Sequence, residues 1–260
     1  MPTTQRFATG DGIEIAYHEY DPDRPEAGLP PVVLHHGFAA DTVTNWVSPG
    51  VVDALLDAGR SVISVDARGH GASDKPHDPD HYGEGRMSAD LLELLDDLAL
   101  ERIDLVGYSM GAIVSTIAAS RDGRIRRLVI GGIGGRIARL GDGTTTGLDR
   151  SAIAEALLAD DPDTVTDPSA RAFRRFADST GGDRLALAAQ MRSAHTSRIA
   201  LGDITAPTLL IVGDRDPLAD DPDALVAAIP ECRLQVVPGD HLDAVAAAGF
   251  RESLVDFLAG

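Results

Sequence analysis

The chain has a single cysteine, few aromatic residues and no long hydrophobic run, and each of these shortages excludes a class of protein. Cys232 has no partner for an internal disulfide bond, so we expect a reducing compartment and a cytoplasmic protein. Aromatic residues make up 4% of the sequence, which is too few for stacking to dominate ligand affinity. No apolar run approaches the ~20 residues that span a bilayer. The polar start over residues 1–6 predicts no signal peptide.

Positive charge is also scarce. The sequence has 23 basic and 41 acidic residues, which gives a formal net charge of −18. A surface of this charge repels phosphate backbones and anionic lipids, so we expect neither nucleic acids nor membranes as partners. A chain of 260 residues with 43% hydrophobic residues is long enough to bury one sizeable core.

Short apolar runs alternate with helical patterns along the chain. An initial hairpin around Asp11 and Gly12 is followed by predicted strands near residues 32, 62, 104, 127, 208 and 234. Predicted helices include 88–100, 112–120, 223–229 and 244–258. This alternation predicts an α/β fold with a mostly parallel sheet, flanking helices and an antiparallel first edge. Functional groups should then gather at the carboxyl edge of the sheet.

The alternation stops between residues 130 and 207. Helical spacing over 149–158, 169–179 and 183–195 predicts a helical cap at 135–203, inserted after the sixth strand into a core formed by 1–134 and 204–260. The cap has nine arginines against nine aspartates and one glutamate, so it is nearly neutral. If it covers a binding site, its field need not repel anionic substrates. Arginines on solvated helix faces are the alternative interpretation.

Residues 107–111 form the pattern Gly-Tyr-Ser-Met-Gly between a predicted strand and a predicted helix. This context is typical of a nucleophile elbow, a turn so tight that only glycine fits on either side of the serine. Ser109 would then be exposed at the sheet edge, and the Met110 amide would point to where negative charge develops on an attacked carbonyl. The alternative is an ordinary serine in a glycine-bounded turn.

An elbow of this kind requires an acid and then a histidine further along the chain, each after a strand. The strand at 207–212 leads to two candidate acids, Asp214 and Asp216, and the strand at 233–237 leads to His241. Other histidines, at 35, 36 and 70, lie in loops where an imidazole usually bonds to the backbone. The order serine, acid, histidine favours catalysis over the alternative.

With these motifs the chain resembles the α/β-hydrolase family over nearly its whole length. The resemblance implies that Asp216, three residues after Gly213, is the triad acid and that Asp214 caps the turn. The His-His-Gly-Phe segment ending at Phe38 looks like the family's oxyanion loop, and residues 66–73 look like its second signature turn. The serine-methionine elbow is similar to that of small bacterial esterases and the bromoperoxidase or perhydrolase branch, although Ala112 replaces that branch's usual glycine.

The resemblance implies a serine hydrolase that acts on small-molecule carboxylic esters, including lactones, without a cofactor. Ser109, His241 and Asp216 would form the triad, and the Phe38 and Met110 amides the oxyanion hole. Phe38, Trp46 and Met110 are candidates to contact substrate, with burial beneath the site as the alternative for Trp46. Perhydrolysis, acyl transfer and carbon–carbon hydrolysis use the same triad, and a slow ligand sensor is the non-enzymatic alternative. Related dehalogenases and epoxide hydrolases use aspartate as nucleophile, which Ser109 argues against.

One further cluster could bind a metal. His77, Asp78, Asp80 and His81 fall within five residues, but Pro79 prevents the helix that would align the two histidines. An acidic turn is the commoner role for such a segment, and we expect no metal site.

Overall fold

A computed structural model describes residues 3–142, 148–193 and 195–260, and these residues are built around an eight-stranded sheet. The strands are β1 (Thr3–Ala8), β2 (Glu14–Tyr20), β3 (Val32–His35), β4 (Val62–Val65), β5 (Ile103–Tyr108), β6 (Ile125–Gly131), β7 (Thr208–Gly213) and β8 (Cys232–Val237). Their order across the sheet is β1-β2-β4-β3-β5-β6-β7-β8. The first two strands are antiparallel to their neighbours and the other strands are parallel, so the predicted fold class is confirmed.

Helices cover both faces of the sheet, which explains why its central strands are continuous apolar runs. They are α1 (Val51–Asp57), α2 (Glu84–Asp97), α3 (Met110–Ala119), α4 (Arg150–Leu158), α5 (Pro168–Thr180), α6 (Arg184–Met191), α7 (Pro222–Ala228) and α8 (Ala248–Ala259). Helices α1 and α8 pack in one core cluster, and α2 and α3 in the other. No helix in the described ranges is long and apolar enough to cross a membrane.

Several helix boundaries differ from the predicted ones. Helix α2 begins four residues earlier, after Gly83, and ends before Ala99, which has a left-handed φ of 49°. Helix α3 begins at Met110 because Ser109 is its N-cap residue. The predicted helix 244–258 is interrupted at Ala247, whose backbone is extended, and α6 ends at Met191 rather than continuing to residue 195.

The long segment between β6 and β7 contains the helices α4, α5 and α6, and we refer to residues 132–207 as the inserted segment. An aspartate caps each of these helices through its side chain: Asp149 for α4, Asp167 for α5 and Asp183 for α6. Part of the glycine-rich stretch near the start of this segment, residues 143–147, lies outside the described residues.

Candidate active site

Ser109 lies at the sharp turn between β5 and α3, with φ 54° and ψ −116°. A non-glycine residue in this region costs about 1–3 kcal/mol, so the surrounding structure has to enforce it. The flanking glycines explain how. A Cβ on Gly107 would lie 2.3 Å from the carbonyl oxygen of Gly111, and one on Gly111 would lie 2.0 Å from that of His35. The turn therefore requires both glycines, as the elbow interpretation predicts.

Three side chains from separate loops meet at this turn. His241 follows β8, and its Nε2 lies 2.9 Å from Ser109 Oγ. Its Nδ1 lies 2.8 Å from Oδ2 of Asp216, which follows β7 and is 8% exposed. A carboxylate only accepts hydrogen bonds, so Nδ1–H donates to Asp216 and Nε2 is free to accept from the serine hydroxyl. The structure thus brings together the serine, histidine and acid named from the sequence.

The neighbouring acid has a different role. Asp214 Oδ1 accepts a hydrogen bond from the Gly239 amide at 2.9 Å, and its own amide donates to the Val237 carbonyl at 2.9 Å. These contacts join the end of β7 to the loop that carries His241. Asp214 therefore positions the loop, whereas Asp216 contacts the imidazole.

The loop after β3 lies directly against the serine. A Cβ on Gly37 would lie 3.3 Å from Ser109 Cβ, and the Gly37 amide donates to Asn45 Oδ1 at 2.8 Å. Among the described residues, the Phe38 and Met110 amides donate to no protein acceptor. Met110 is also the first residue of α3, where the helix dipole favours negative charge. Two free amides therefore border the nucleophile.

Three buried histidines lie at or near this loop, and none of them lines a cavity that contains Ser109. His36 Nε2 accepts from the Ala67 amide at 2.9 Å, and His70 Nε2 accepts from the Ala39 amide at 3.1 Å. Burial lowers the pKa of His70 to about 3 and also lowers the pKa of His36. Burial lowers the pKa of His35 to about 3 as well. Neutral imidazoles can accept these bonds, so the backbone role predicted for His36 and His70 is confirmed. His35 ends β3 instead of lying in a loop, and its Nδ1 lies 3.4 Å from the His36 carbonyl oxygen.

Tyr108 contacts both the backbone and the ring of His241. Its hydroxyl donates to the His241 carbonyl at 2.7 Å, and the two rings lie 5.5 Å apart. Burial raises the pKa of Tyr108 well above its usual range, so the hydroxyl stays a donor at neutral pH. Tyr108 lies within the elbow motif, and the motif itself assigns this residue no role.

Two cavities open on either side of Ser109 and share Phe38 and Phe173 as a common wall. One, which we call the Arg150 pocket, has a volume of about 570 Å³ including its opening to solvent. Its other walls include Glu84, Met110, Ile113, Arg136, Leu148 and Arg150. The second, the His241 pocket, has about 650 Å³ on the same measure. Its other walls include Asn45, Tyr108, Phe176, His241, Leu242 and Val245.

The inserted segment forms part of both cavities. Phe173, on α5, makes an edge contact with Phe38 at 5.9 Å between ring centroids. Thr180, at the end of the same helix, donates to the carbonyl of Ala39 at 2.8 Å. Helix α5 is therefore fixed directly over the loop next to Ser109.

One predicted substrate contact is wrong. Trp46 is completely buried in the core cluster that contains α1 and α8, and it lines neither cavity. A π-helical turn over Val43–Val47 directs the indole inwards while Thr44 and Asn45 face the His241 pocket. Phe38 and Met110 do line a cavity beside Ser109.

No sequence motif predicts a role for the polar residues Glu84, Asn45 and Arg150 near the site. Glu84 and Arg150 are 66 positions apart in the chain, and no motif signals that they meet. The side chains of the histidine-rich turn at 77–81 contact different partners. His77 contacts Asp183 of the inserted segment at 3.2 Å, and Asp78 caps a short turn by accepting from the Asp80 amide.

Comparison with known proteins agrees with this architecture. A family model described as the alpha/beta hydrolase fold matches residues 30–195. The chain is similar to epoxide hydrolase A of Mycobacterium tuberculosis, with 37% identity over 43% of this chain and 32% of that protein. It is 38% identical to 2-hydroxy-6-oxo-2,4-heptadienoate hydrolase of Pseudomonas putida over 53% of this chain and 48% of that protein. The matched region thus spans a third to about half of these curated relatives.

Among solved structures, a hydrolase from Pseudomonas aeruginosa PA01 is similar over the whole chain. The two share 28% sequence identity with a TM-score of 0.71, and the alignment covers 99% of each chain. This agreement extends to the inserted segment, which the family model covers only in part.

Proposed function

The chain belongs to the α/β-hydrolase family, and from this premise we propose that it is a serine hydrolase that cleaves carboxylic esters, including lactones, through a covalent acyl-enzyme. The observation that carries the proposal is the hydrogen-bonded series from Asp216 through His241 to Ser109, at a strained turn beside two free amides. Each part of that arrangement has a role in acyl transfer, and each step uses groups of this chain together with water.

In the first half of the reaction, His241 Nε2 takes the proton of Ser109 Oγ as the oxygen attacks the acyl carbon. The carbonyl oxygen becomes an oxyanion, and the Phe38 and Met110 amides donate hydrogen bonds to it. Nε2 then gives its proton to the departing alcohol oxygen, and the C–O bond of the ester breaks. In the second half, His241 takes a proton from water as the water oxygen attacks the acyl carbon. His241 then gives that proton to Ser109 Oγ as the acyl C–O bond breaks, which releases the acid and free serine.

Asp216 acts through the imidazole. By accepting from Nδ1–H it keeps the proton off Nε2, and its negative charge stabilises the imidazolium that forms in each half-reaction. Two bonds hold this carboxylate, because Oδ1 accepts from the Leu218 amide at 2.8 Å while Oδ2 faces His241.

The serine distinguishes this chemistry from that named for the epoxide hydrolase relative. An alkoxide that opened an epoxide would form an ether, which water does not hydrolyse under these conditions, so the enzyme would be blocked after one turnover. An aspartate nucleophile forms an ester instead, which water can cleave. Ser109 therefore favours acyl substrates.

Carbon–carbon bond hydrolysis is the second candidate, and the 38% identity to the heptadienoate hydrolase favours it. The same triad would serve, with a carbanion as leaving group in place of an alcohol. Perhydrolysis and acyl transfer differ only in the acceptor that meets the acyl-enzyme. A ligand sensor on this fold would show a single slow event rather than repeated turnover.

We assign the inserted segment the role of a cap. In this proposal residues 1–134 and 204–260 supply the triad and both oxyanion amides, and residues 135–203 supply pocket walls. Phe173 supports this division, because it lines both cavities and contributes no polar group to the chemistry.

The experiment is steady-state hydrolysis of a panel of 4-nitrophenyl esters, a lactone and a vinylogous diketone of the heptadienoate type. We expect many turnovers per enzyme on the esters and a loss of at least a thousandfold in Ser109→Ala with an unchanged melting temperature. Turnover confined to the diketone would favour the second candidate, and a single turnover on every compound would favour a sensor.

A further inference from the structure

Arg150, the first residue of α4, has hydrogen-bond donors for which the protein provides no acceptor. Its Nη2 lies 2.5 Å from Glu84 Oε1, but in the part of the chain that the structure describes its Nε and Nη1 are buried without a partner. The side chain is 14% exposed and lines the cavity that opens at Ser109. Buried charged donors without an acceptor are costly, so a bound acceptor would recover free energy at this position.

Glu84 does not accept a hydrogen bond from Nε or Nη1 of Arg150. This carboxylate is 2% exposed, and its second oxygen, Oε2, accepts from the His195 amide at 2.7 Å. Both of its oxygens are therefore engaged, one by Arg150 and one by the backbone. The pair is held in place on the α2 side, and Arg150 lines the cavity with two of its donors unpaired among the described residues.

The charge around this cavity differs from that of the whole molecule. Its charged lining residues are two arginines, Arg136 and Arg150, and one glutamate, Glu84, in a chain with a formal net charge of −18. Arg136 is 42% exposed and bonds to Asp220 through Nε at 3.0 Å. Arg150 is the more deeply buried arginine, so its interaction with an anion would be less screened by solvent.

The position of His241 indicates which cavity would bind the alcohol part of an ester and which would bind the acyl part. The leaving alcohol has to receive its proton from His241 Nε2, and His241 lines the second cavity but not the one with Arg150. The leaving group therefore belongs in the His241 pocket. The acyl group then extends into the Arg150 pocket, past Met110 and towards the unpaired donors.

We propose that Arg150 determines specificity by binding a carboxylate on the acyl part of the substrate, so that monoesters of dicarboxylic acids are preferred over neutral esters. This inference rests on the proposed ester hydrolysis at Ser109 and names its substrate class. A carboxylate suits the site because guanidinium donors match its geometry and its charge.

The test compares pairs of substrates of matched shape. Mono-4-nitrophenyl esters of dicarboxylic acids with six to eight carbons are measured beside their neutral methyl esters, with spontaneous hydrolysis subtracted. The readout is the ratio of kcat/KM for the anionic ester to that for its neutral match. We expect a ratio above one for the wild-type enzyme at one or more chain lengths.

The main variant is the double substitution Arg150→Gln with Glu84→Gln, which removes both charges and leaves no buried carboxylate unpaired. We expect the ratio to fall by about tenfold or more, the usual effect of losing a charge-assisted hydrogen bond. Arg150→Lys is the second variant if the first does not fold, and its point charge should keep part of the ratio. Arg139→Gln is the matched control, because Arg139 pairs with Asp221 at the surface and lines neither cavity.

The outcomes separate the two proposals. Two results would overturn only the role of Arg150 and leave the proposed function intact. One is hydrolysis of neutral esters at Ser109 with a ratio of kcat/KM values at or below one. The other is a ratio that does not change in the double variant. Absence of hydrolysis of both esters would overturn the proposed function. Binding then decides the site: adipate should raise the melting temperature of the wild-type protein but not of the double variant, and equal shifts or none would overturn the inference.

Discussion

Replacing Asp216 by asparagine should greatly lower kcat, whereas the same replacement at the neighbouring Asp214 should leave kcat almost unchanged. In Asp216→Asn, the Leu218 amide still needs an acceptor, so the side-chain oxygen should take the Oδ1 position that it occupies now. The amide NH₂ then faces His241 Nδ1, at the place of an oxygen 2.8 Å away. Two donors cannot face each other, so the imidazole proton moves to Nε2 and points at Ser109.

A histidine with its proton on Nε2 cannot accept the serine proton. The negative charge that stabilises the imidazolium is lost as well, so kcat should fall by about 10³- to 10⁴-fold, which corresponds to about 4–5.5 kcal/mol of transition-state stabilisation. Asp214→Asn should retain kcat within about threefold, because an asparagine oxygen can still accept from Gly239.

The assay is pre-steady-state and steady-state hydrolysis of 4-nitrophenyl butyrate by both variants, with thermal unfolding as the control for folding. A variant Asp216→Asn that keeps more than a tenth of wild-type kcat would refute the tautomer argument. So would an equal loss in Asp214→Asn with an unchanged melting temperature, since the acid would then have been assigned to the wrong residue.

Three further outcomes follow from the same contacts. Gly111→Ala should lower the unfolding free energy by more than about 2 kcal/mol, because its Cβ would overlap backbone, whereas Gly123→Ala, with open space around it, should change it little; chemical denaturation of the two compares them. Burial lowers the pKa of His70 to about 3. Below pH 6.5 this histidine therefore binds a proton in the unfolded state but not in the folded state, so the free energy of unfolding falls as the pH falls below 6.5. Urea titrations at pH 7, 6 and 5 should show a shallower loss in His70→Gln, by up to about 1.4 kcal/mol per pH unit, and equal slopes would contradict the assignment. Phe173→Ala opens the wall between the cavities and should raise KM for long acyl esters by roughly 5- to 30-fold while short esters change little; an unchanged chain-length ranking in steady-state kinetics would remove α5 from substrate selection.

Local rules account for much of what the sequence predicted. The elbow is recognisable because two glycines are required by contacts within a few residues and with the adjacent strand, and the parallel sheet follows from apolar runs separated by helical patterns. The order of serine, acid and histidine places all three at one sheet edge. For the same reason His241, and an acid at position 214 or 216, could be named before the 2.8 Å contact between His241 and Asp216 was known.

Such local rules do not predict contacts between segments that are distant in the sequence. Nothing in the local sequence indicates that Arg150 meets Glu84, or that the π-helical turn directs Trp46 into the core and places Asn45 at the His241 pocket instead. The choice between Asp214 and Asp216 also depended on a resemblance, because both follow the strand at almost the same distance. Only the contacts with Gly239 and His241 separate the two physically.

The central claim is that Ser109 forms a covalent intermediate, and labelling with a fluorophosphonate tests it most directly. Peptide mapping by mass spectrometry should find one equivalent of label on Ser109, with loss of esterase activity in proportion to labelling. His241→Ala should slow the labelling by orders of magnitude, because the hydroxyl loses its base. Label on another residue, or ester hydrolysis that continues at full labelling of Ser109, would contradict the account.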